Sequence, residues 1–188
     1  MENILIRKAK KEDSTQIAHL LMHAMEDIAY YYVGDNSKEK ATNFLSELIQ
    51  EENNQYSYKY SWVVEENKNT IGVAIVYNGA KLLSLREPVL QKIKKQFDRN
   101  IQLEEETQAG EYYIDCIAVS KKSRGKGIGT RILQFILEEY AHNQGETLGL
   151  LVYKDNPEAK KLYKKIGFKS VGTKLLLGKE LEHMQYRK

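Results

Sequence analysis

The sequence predicts a single domain of mixed α/β class, on three observations. Apolar residues recur at the helical period in some stretches and at every second residue in others, and the two kinds of stretch alternate along the chain. At 188 residues the chain is long enough for one domain with a substantial core and short for two. No internal repeat, low-complexity segment or linker interrupts it.

ILIRKAK (4–10) alternates as a first strand. KEDSTQIAHLLMHAM (11–25) reads as a helix with Asp13 or Ser14 as N-cap and Ile17, Leu20, Leu21 and Ala24 on its apolar face. After the turn VGDNSK comes a second helix over about 37–52, carrying Phe44, Leu45, Leu48 and Ile49. Tyr56, Tyr58, Tyr60 and Trp62 repeat at the period of a strand and read as one buried sheet face. ENKN (66–69) is the hairpin turn to a partner strand, TIGVAIVYN. Residues 81–109 read as an insertion, with Pro88 early in a helix bearing Val89, Ile93 and Phe97. EYYIDCIAV (111–119) is the next strand and SKKSRGKGIG a basic loop. GTRILQFILEEYAHNQG is an amphipathic helix closing at Gly145. The strand TLGLLVY, the short helix NPEAKKLYKKIG, and the strands FKSVGTKLLL and LEHMQYRK complete the chain.

Hydrophobic residues at 41% and charged residues at 29% are ordinary for a soluble globular chain. The net charge of +3 suits a site for one anionic ligand and falls far short of a nucleic-acid-binding face, so no nucleic acid is expected as partner. The lone Cys116 excludes an internal disulfide framework and a cysteine-rich zinc site. The N-terminal stretch MENILIRKAKKEDS has too short an apolar run for a signal peptide, and no stretch approaches the ~20 apolar residues of a membrane span. A cytoplasmic protein without a membrane partner is expected. His19 and His23 share a helix face, but Leu20 stands where a zinc protease carries its glutamate, and no metal is expected.

The loop SRGKGIGT (123–130) packs three glycines between Arg124 and the start of a helix. It is not a Walker A loop, because no glycine stands four residues before a Gly-Lys pair that ends in Ser or Thr. It is not a dinucleotide fingerprint either, since Gly125, Gly127 and Gly129 are spaced G-x-G-x-G and lie late in the chain. A tight turn and an anion site at a helix N-terminus remain open on these residues alone.

The pattern Arg124-Gly125-x-Gly127-x-Gly129 after the strand end IAV, followed by NPEAKKLYKKIGF, resembles the GNAT superfamily of acetyl-CoA-dependent N-acetyltransferases. The two motifs cover about residues 111–170. The resemblance implies a central, mostly antiparallel sheet of about seven strands with a splayed parallel pair, flanked by helices on both faces. It implies a single N-acetyltransferase domain over 1–188, with 81–109 as a substrate-side insertion shaping substrate entry or a homodimer contact. It also implies acetyl-CoA as cosubstrate, with the backbone of Ile117, Ala118 and Val119 pairing with the pantetheine arm. Arg124, Gly125, Lys126, Gly127, Ile128, Gly129 and Thr130 would then hold the pyrophosphate, and Asn156 would contact the cofactor arm or orient the helix it begins.

The same resemblance assigns Tyr163 as the acid that protonates the departing thiolate. Amine acylation also needs a base, because an ammonium ion cannot attack a thioester. Glu111 matches the general-base position of the histone-acetylating branch and Asp115 the acidic position of the polyamine-acetylating branch. Both point to one face of a regular strand, about 13 Å apart, and the choice stays open. Cys116, on the opposite face in a regular strand, reads as a packing residue. Tyr30 and Tyr31 fall where the family places an acceptor-side loop. The function implied is transfer of acetyl to a primary amine within a ternary complex, the acceptor a small amine such as a polyamine, or a protein or peptide amine. The alternative is an acyl-CoA-binding sensor with the same fold and no turnover.

Overall fold

The computed structural model describes residues 4–188; residues 1–3, part of the N-terminal stretch read above for a leader, lie outside them. Its strands are β1 Ile4–Lys8, β2 Ser61–Glu66, β3 Asn69–Asn78, β4 Tyr112–Val119, β5 Leu148–Tyr153, β6 Lys169–Leu176 and β7 Lys179–Tyr186. They form one sheet in the order β1-β2-β3-β4-β5-β7-β6. Neighbours run antiparallel except β4 and β5, which are parallel. Helices α1 Ser14–Leu21, α2 Glu26–Val33, α3 Lys38–Gln50 and α4 Leu82–Phe97 cover one face. Helices α5 Ile128–Ile136, extended by a π-helical turn through His142, and α6 Pro157–Ile166 cover the other. Among the described residues no helix is long and apolar enough to cross a membrane.

Strand β3 shows why the sheet is covered twice. Val73, Ile75 and Tyr77 enter the core under α1–α4, while Ala74 and Val76 enter the core under α5. A strand buried on both faces reads as a continuous apolar run, as TIGVAIVY does.

Four local expectations are corrected. The first predicted helix is two: after Leu21 the chain tightens, with His23 N–H bonding Leu20 C=O (3.0 Å) and Ala24 N–H bonding Leu21 C=O (2.9 Å), and α2 restarts after Met25. Asp13 holds the N-cap position of α1 but makes no side-chain cap bond; its carboxylate accepts Lys10 N–H at 2.7 Å and a bidentate pair from Arg7 at 2.8 and 2.9 Å. The tyrosine alternation is not a sheet face, for Tyr58–Tyr60 form a 3-10 turn and only Trp62 of the four lies on a strand. Tyr56 is pulled inward instead, its hydroxyl 2.7 Å from that of Tyr32. Pro88 sits inside α4, not near its start, and α4 buries Leu85, Val89 and Ile93 in the main core. The segment 81–109 is therefore integral to the fold.

The parallel strands separate where the site forms. β4 and β5 are paired only at Tyr112–Leu148, Tyr113–Gly149 and Ile114–Leu150. On its other edge β4 carries a bulge: Ile75 opposes Cys116 and Val76 opposes Ile114, leaving Asp115 unopposed. A bulge bends the strand and breaks its alternation. Asp115 and Cys116 consequently both turn toward the α1–α4 side, where Asp115 bonds Tyr77 and Cys116 joins the core, and not to opposite faces as a regular strand requires.

The paired end of β4 and β5 is locked by Glu111. Its buried carboxylate accepts from Thr107 Oγ1 (2.6 Å) and Gln185 Nε2 (2.7 Å) and lies 2.9 Å from His183 Nε2, so it ties β4 to β7 across β5. Gly149 makes the crossing possible, since a Cβ there would collide with the carboxylate. Gly149→Ala is expected to lower stability by about 2 kcal/mol through overpacking and loss of buried charged hydrogen bonds. Urea denaturation measures this, and an unchanged midpoint would show that the carboxylate yields at no cost.

Candidate active site

The divergence of β4 and β5 opens a cleft of ≈ 420 Å³. Cys116–Val119 form one wall and Leu151–Tyr153 the other. On the facing edges the backbone N–H and C=O groups of these residues have no strand partner, so an extended molecule carrying amides is complementary to them.

One end of the cleft is built for an anion. Ser120 N–H bonds Ile71 C=O (2.8 Å), Ser123 N–H bonds Ser120 C=O (2.9 Å), and Arg124 Nε donates to Val119 C=O (3.3 Å), which pins the basic loop to the end of β4. Gly125 and Gly127 take φ of +76° and +77°, a region that favours glycine. Gly127 caps α5, whose first backbone bond runs from Arg131 N–H to Gly127 C=O (3.0 Å). The N–H groups of Ile128, Gly129 and Thr130 thus precede the helical ladder and stay available at its positive end. Gly129 has neither excuse of its neighbours: its φ is not positive, and a Cβ there would meet nothing within 4 Å. Glycine inside a helix costs about 1 kcal/mol relative to alanine, and open space over its backbone is the cradle a phosphate would use. His23, at the cleft mouth, is held below its ordinary pKa by burial and by the positive charges of Lys121 and Arg124.

Deeper in the cleft the polarity reverses. Asp115 Oδ2 accepts from Tyr77 Oη (2.8 Å) and Gln55 Nε2 (3.1 Å). Glu106 also lines the cleft; it accepts from the same Gln55 nitrogen (3.3 Å) and from Arg86 Nη2 (2.6 Å). Burial, then the charge of Glu106, pushes Asp115 up to about 7. Burial raises Glu106 as well, against the pull of Arg86. A donor-rich end and an acidic end therefore share one cavity.

The profile described as "Acetyltransferase (GNAT) family" matches residues 22–168. The chain belongs to that family. An acetyltransferase crystal structure is 34% identical with a TM-score of 0.82, the match covering 97% of this chain and 98% of that one. An N-acetyltransferase from Staphylococcus aureus Mu50 is 27% identical with a TM-score of 0.84, over 97% and 100% of the two chains. A chloroplastic GCN5-related N-acetyltransferase of Arabidopsis thaliana is 35% identical over 44% of this chain. The match spans 28% of that relative's own length.

On this GNAT scaffold the residues singled out in the sequence divide into two groups. Asp115, Ile117, Ala118, Val119, Arg124, Asn156 and Tyr163 line the cleft, and Gly125–Thr130 lead from it into α5. Asn156 caps α6, its Oδ1 accepting Ala159 N–H at 3.1 Å. Burial, then the neighbouring Cys116, pushes the Tyr163 phenol up to about 12, so it stays protonated across the neutral range. Burial raises the Cys116 thiol too.

The remaining three stand elsewhere. Glu111 is enclosed at the paired end of the strands and does not line the cleft; burial would raise it, but hydrogen bonds from His183, Thr107 and Gln185 hold it below the usual carboxylate value. Tyr30 and Tyr31 face a shallow hollow beside Arg99, Tyr30 donating to Glu26 (2.8 Å). Met25 and Ile28 are the residues of this region that reach the cleft. Glu106, Gln55 and Arg86 escaped notice in the sequence. Glu106 lay in the apparent insertion and Gln55 beside the tyrosine alternation, and neither carries a motif.

Gly129→Ala is expected to raise stability by about 0.5–1 kcal/mol while weakening coenzyme A binding at least tenfold. Thermal unfolding and calorimetric titration measure the two; tight binding in the variant would remove the cradle. Asp115→Asn is expected to gain stability relative to the parent as pH rises from about 4 to 7. There the folded parent still holds a proton that an unfolded aspartate has released, so rising pH costs the parent and not the variant. Parallel stability–pH curves for the two proteins would contradict this.

Proposed function

We propose that this protein transfers acetyl from acetyl-CoA to a primary amine by direct attack, with Asp115 as base and Tyr163 as acid. The observation that carries this reading is the sequence of features along one open strand. The cleft runs from Arg124 and the α5 N-terminus, past the unpaired edge of Val119–Ile117, to the half-buried Asp115. About 13 Å of strand separates Asp115 from Val119, a span suited to an extended amide-bearing arm.

When bound, acetyl-CoA supplies the activated thioester. The chain's own residues do the rest. N–H groups on the open β4 edge orient the thioester and polarise its carbonyl. Asp115, directly or through a water, takes one proton from the acceptor ammonium and leaves a free amine. Its proton affinity near neutrality matches that task. Tyr163, which lines the same cleft and holds its proton at neutral pH, gives that proton to the departing sulfur, and the second proton shed by the acylated nitrogen returns to the phenolate. Glu111, saturated by three partners, has no part in proton transfer.

The acceptor proposed is a small cationic amine such as a polyamine. Two carboxylates face the inner part of the cleft and Arg86 is bonded to one of them, so that part of the pocket favours an ammonium group. Residues 81–109 act on the acceptor side through Glu106.

Thiol release from acetyl-CoA, measured across polyamines, amino acids, aminoglycosides and lysine peptides, tests the reading. Release with at least one amine is expected. Coenzyme binding without release for any amine would identify a sensor instead. Asp115→Asn is expected to lower kcat by about 10²–10⁴. Tyr163→Phe is expected to lower kcat while the KM for acetyl-CoA changes less than about twofold; an unchanged kcat would remove Tyr163 as the acid.

A further inference from the structure

We propose that Glu106, anchored by Arg86, is a positioning residue that shares a proton with Asp115 and so sets the charge with which Asp115 meets the acceptor. This rests on Asp115 being the base of the reaction proposed above.

The geometry is that of a coupled pair. One amide nitrogen, Gln55 Nε2, donates to both carboxylates, at 3.3 Å to Glu106 and 3.1 Å to Asp115. Gln55 is itself buried and held from behind, its Oε1 accepting from Arg86 Nε at 3.5 Å. Arg86 is committed to the Glu106 side: Nη2 pairs with Glu106 at 2.6 Å, and Nη1 reaches the carbonyls of Glu104 (2.8 Å) and Leu103 (3.4 Å). Asp115 has only neutral donors, Tyr77 and Gln55.

Among the described residues Arg86 is the cation that acts on the pair. Tyr77 on β3, Tyr56 before β2, Tyr32 on α2, and Tyr113 and Cys116 on β4 are all raised by burial and remain neutral. Tyr153 on β5 is likewise raised. Glu104, on the irregular segment that carries Glu106, turns away to the N–H groups of Leu177 and Gly178. Two acids, Glu106 buried and Asp115 half-buried, that share one guanidinium cannot both ionise cheaply, so a proton is retained between them. When an ammonium enters, the balance is simple. Its N–H bond breaks, the proton passes to Asp115, and Asp115 releases it to solvent after the product leaves.

Both Glu106 and Arg86 come from the 81–109 segment, so this segment tunes the base as well as walling the cleft.

Carboxyl ¹³C NMR of the parent protein with labelled Asp and Glu reads the sharing without reference to activity. Each of the two resonances is expected to show both titration steps. Two independent single-step curves would overturn the proposal. Glu106→Gln removes one negative charge while keeping the shape. The acidic limb of its kcat/KM profile is expected to move down by at least one pH unit, with the KM for acetyl-CoA unchanged, and Glu106→Asp should restore most of the shift. A limb that superimposes on the parent's overturns the positioning role, and the NMR result decides if the variant fails to fold. Full activity of Asp115→Asn would overturn the base assignment along with this inference. An inactive Asp115→Asn with an unshifted Glu106→Gln limb would overturn this inference alone.

Discussion

The bulge in β4 is the constraint on which the site depends. One extra residue between Ile114 and Cys116 bends the strand away from β5 just past the third paired position. Three consequences follow together. The strand edge from Asp115 to Val119 loses its partner and becomes a binding surface. The alternation breaks after Asp115, which stays on the side of Tyr113 and Tyr77 while Cys116 turns to that side as well. The cleft so formed joins the end of β4 to the loop before α5, which brings Arg124 and Asp115 into one cavity.

Keeping the strands apart at one end requires holding them together at the other. Glu111 does this by crossing over Gly149 to His183 and Gln185. The two acids of this strand thus have opposite environments. Glu111 has hydrogen-bond donors enough to favour its charged form. Asp115 has two neutral donors and an acidic neighbour, and its charge is costly. Burial acts on both in the same direction; the count and charge of partners separates them. A fold that stores the cost of an ill-satisfied carboxylate in a cleft, and spreads the satisfied one through three strands, keeps stability and reactivity in different places.

Much of the site could be read from the sequence because its coenzyme half is made of backbone. Arg124-Gly125-x-Gly127-x-Gly129 and Asn156-Pro157 declare themselves by local geometry: positive φ, helix capping, a first-turn glycine with no steric cause. The acceptor half is made of side chains that meet from α4, the 98–109 segment, the loop before β2 and β4. Gln55 and Glu106 stand 51 residues apart in the chain, and Gln55 and Asp115 stand 60 apart. No spacing rule links such positions. The periodicity of Tyr56–Trp62 misled for a related reason, since alternation records which residues are buried and not whether a ladder or a turn buries them.

What the sequence determined by itself is what short-range physics controls: the element order, the two-sided burial of β3, the glycine-rich helix start and hence the family. Choosing between Glu111 and Asp115 lay beyond it. In a regular strand they are equivalent, alike in type and on one face. Tertiary structure separates them, because the partners brought by distant segments fix which carboxylate is held charged by donors and which faces the cleft beside a second acid.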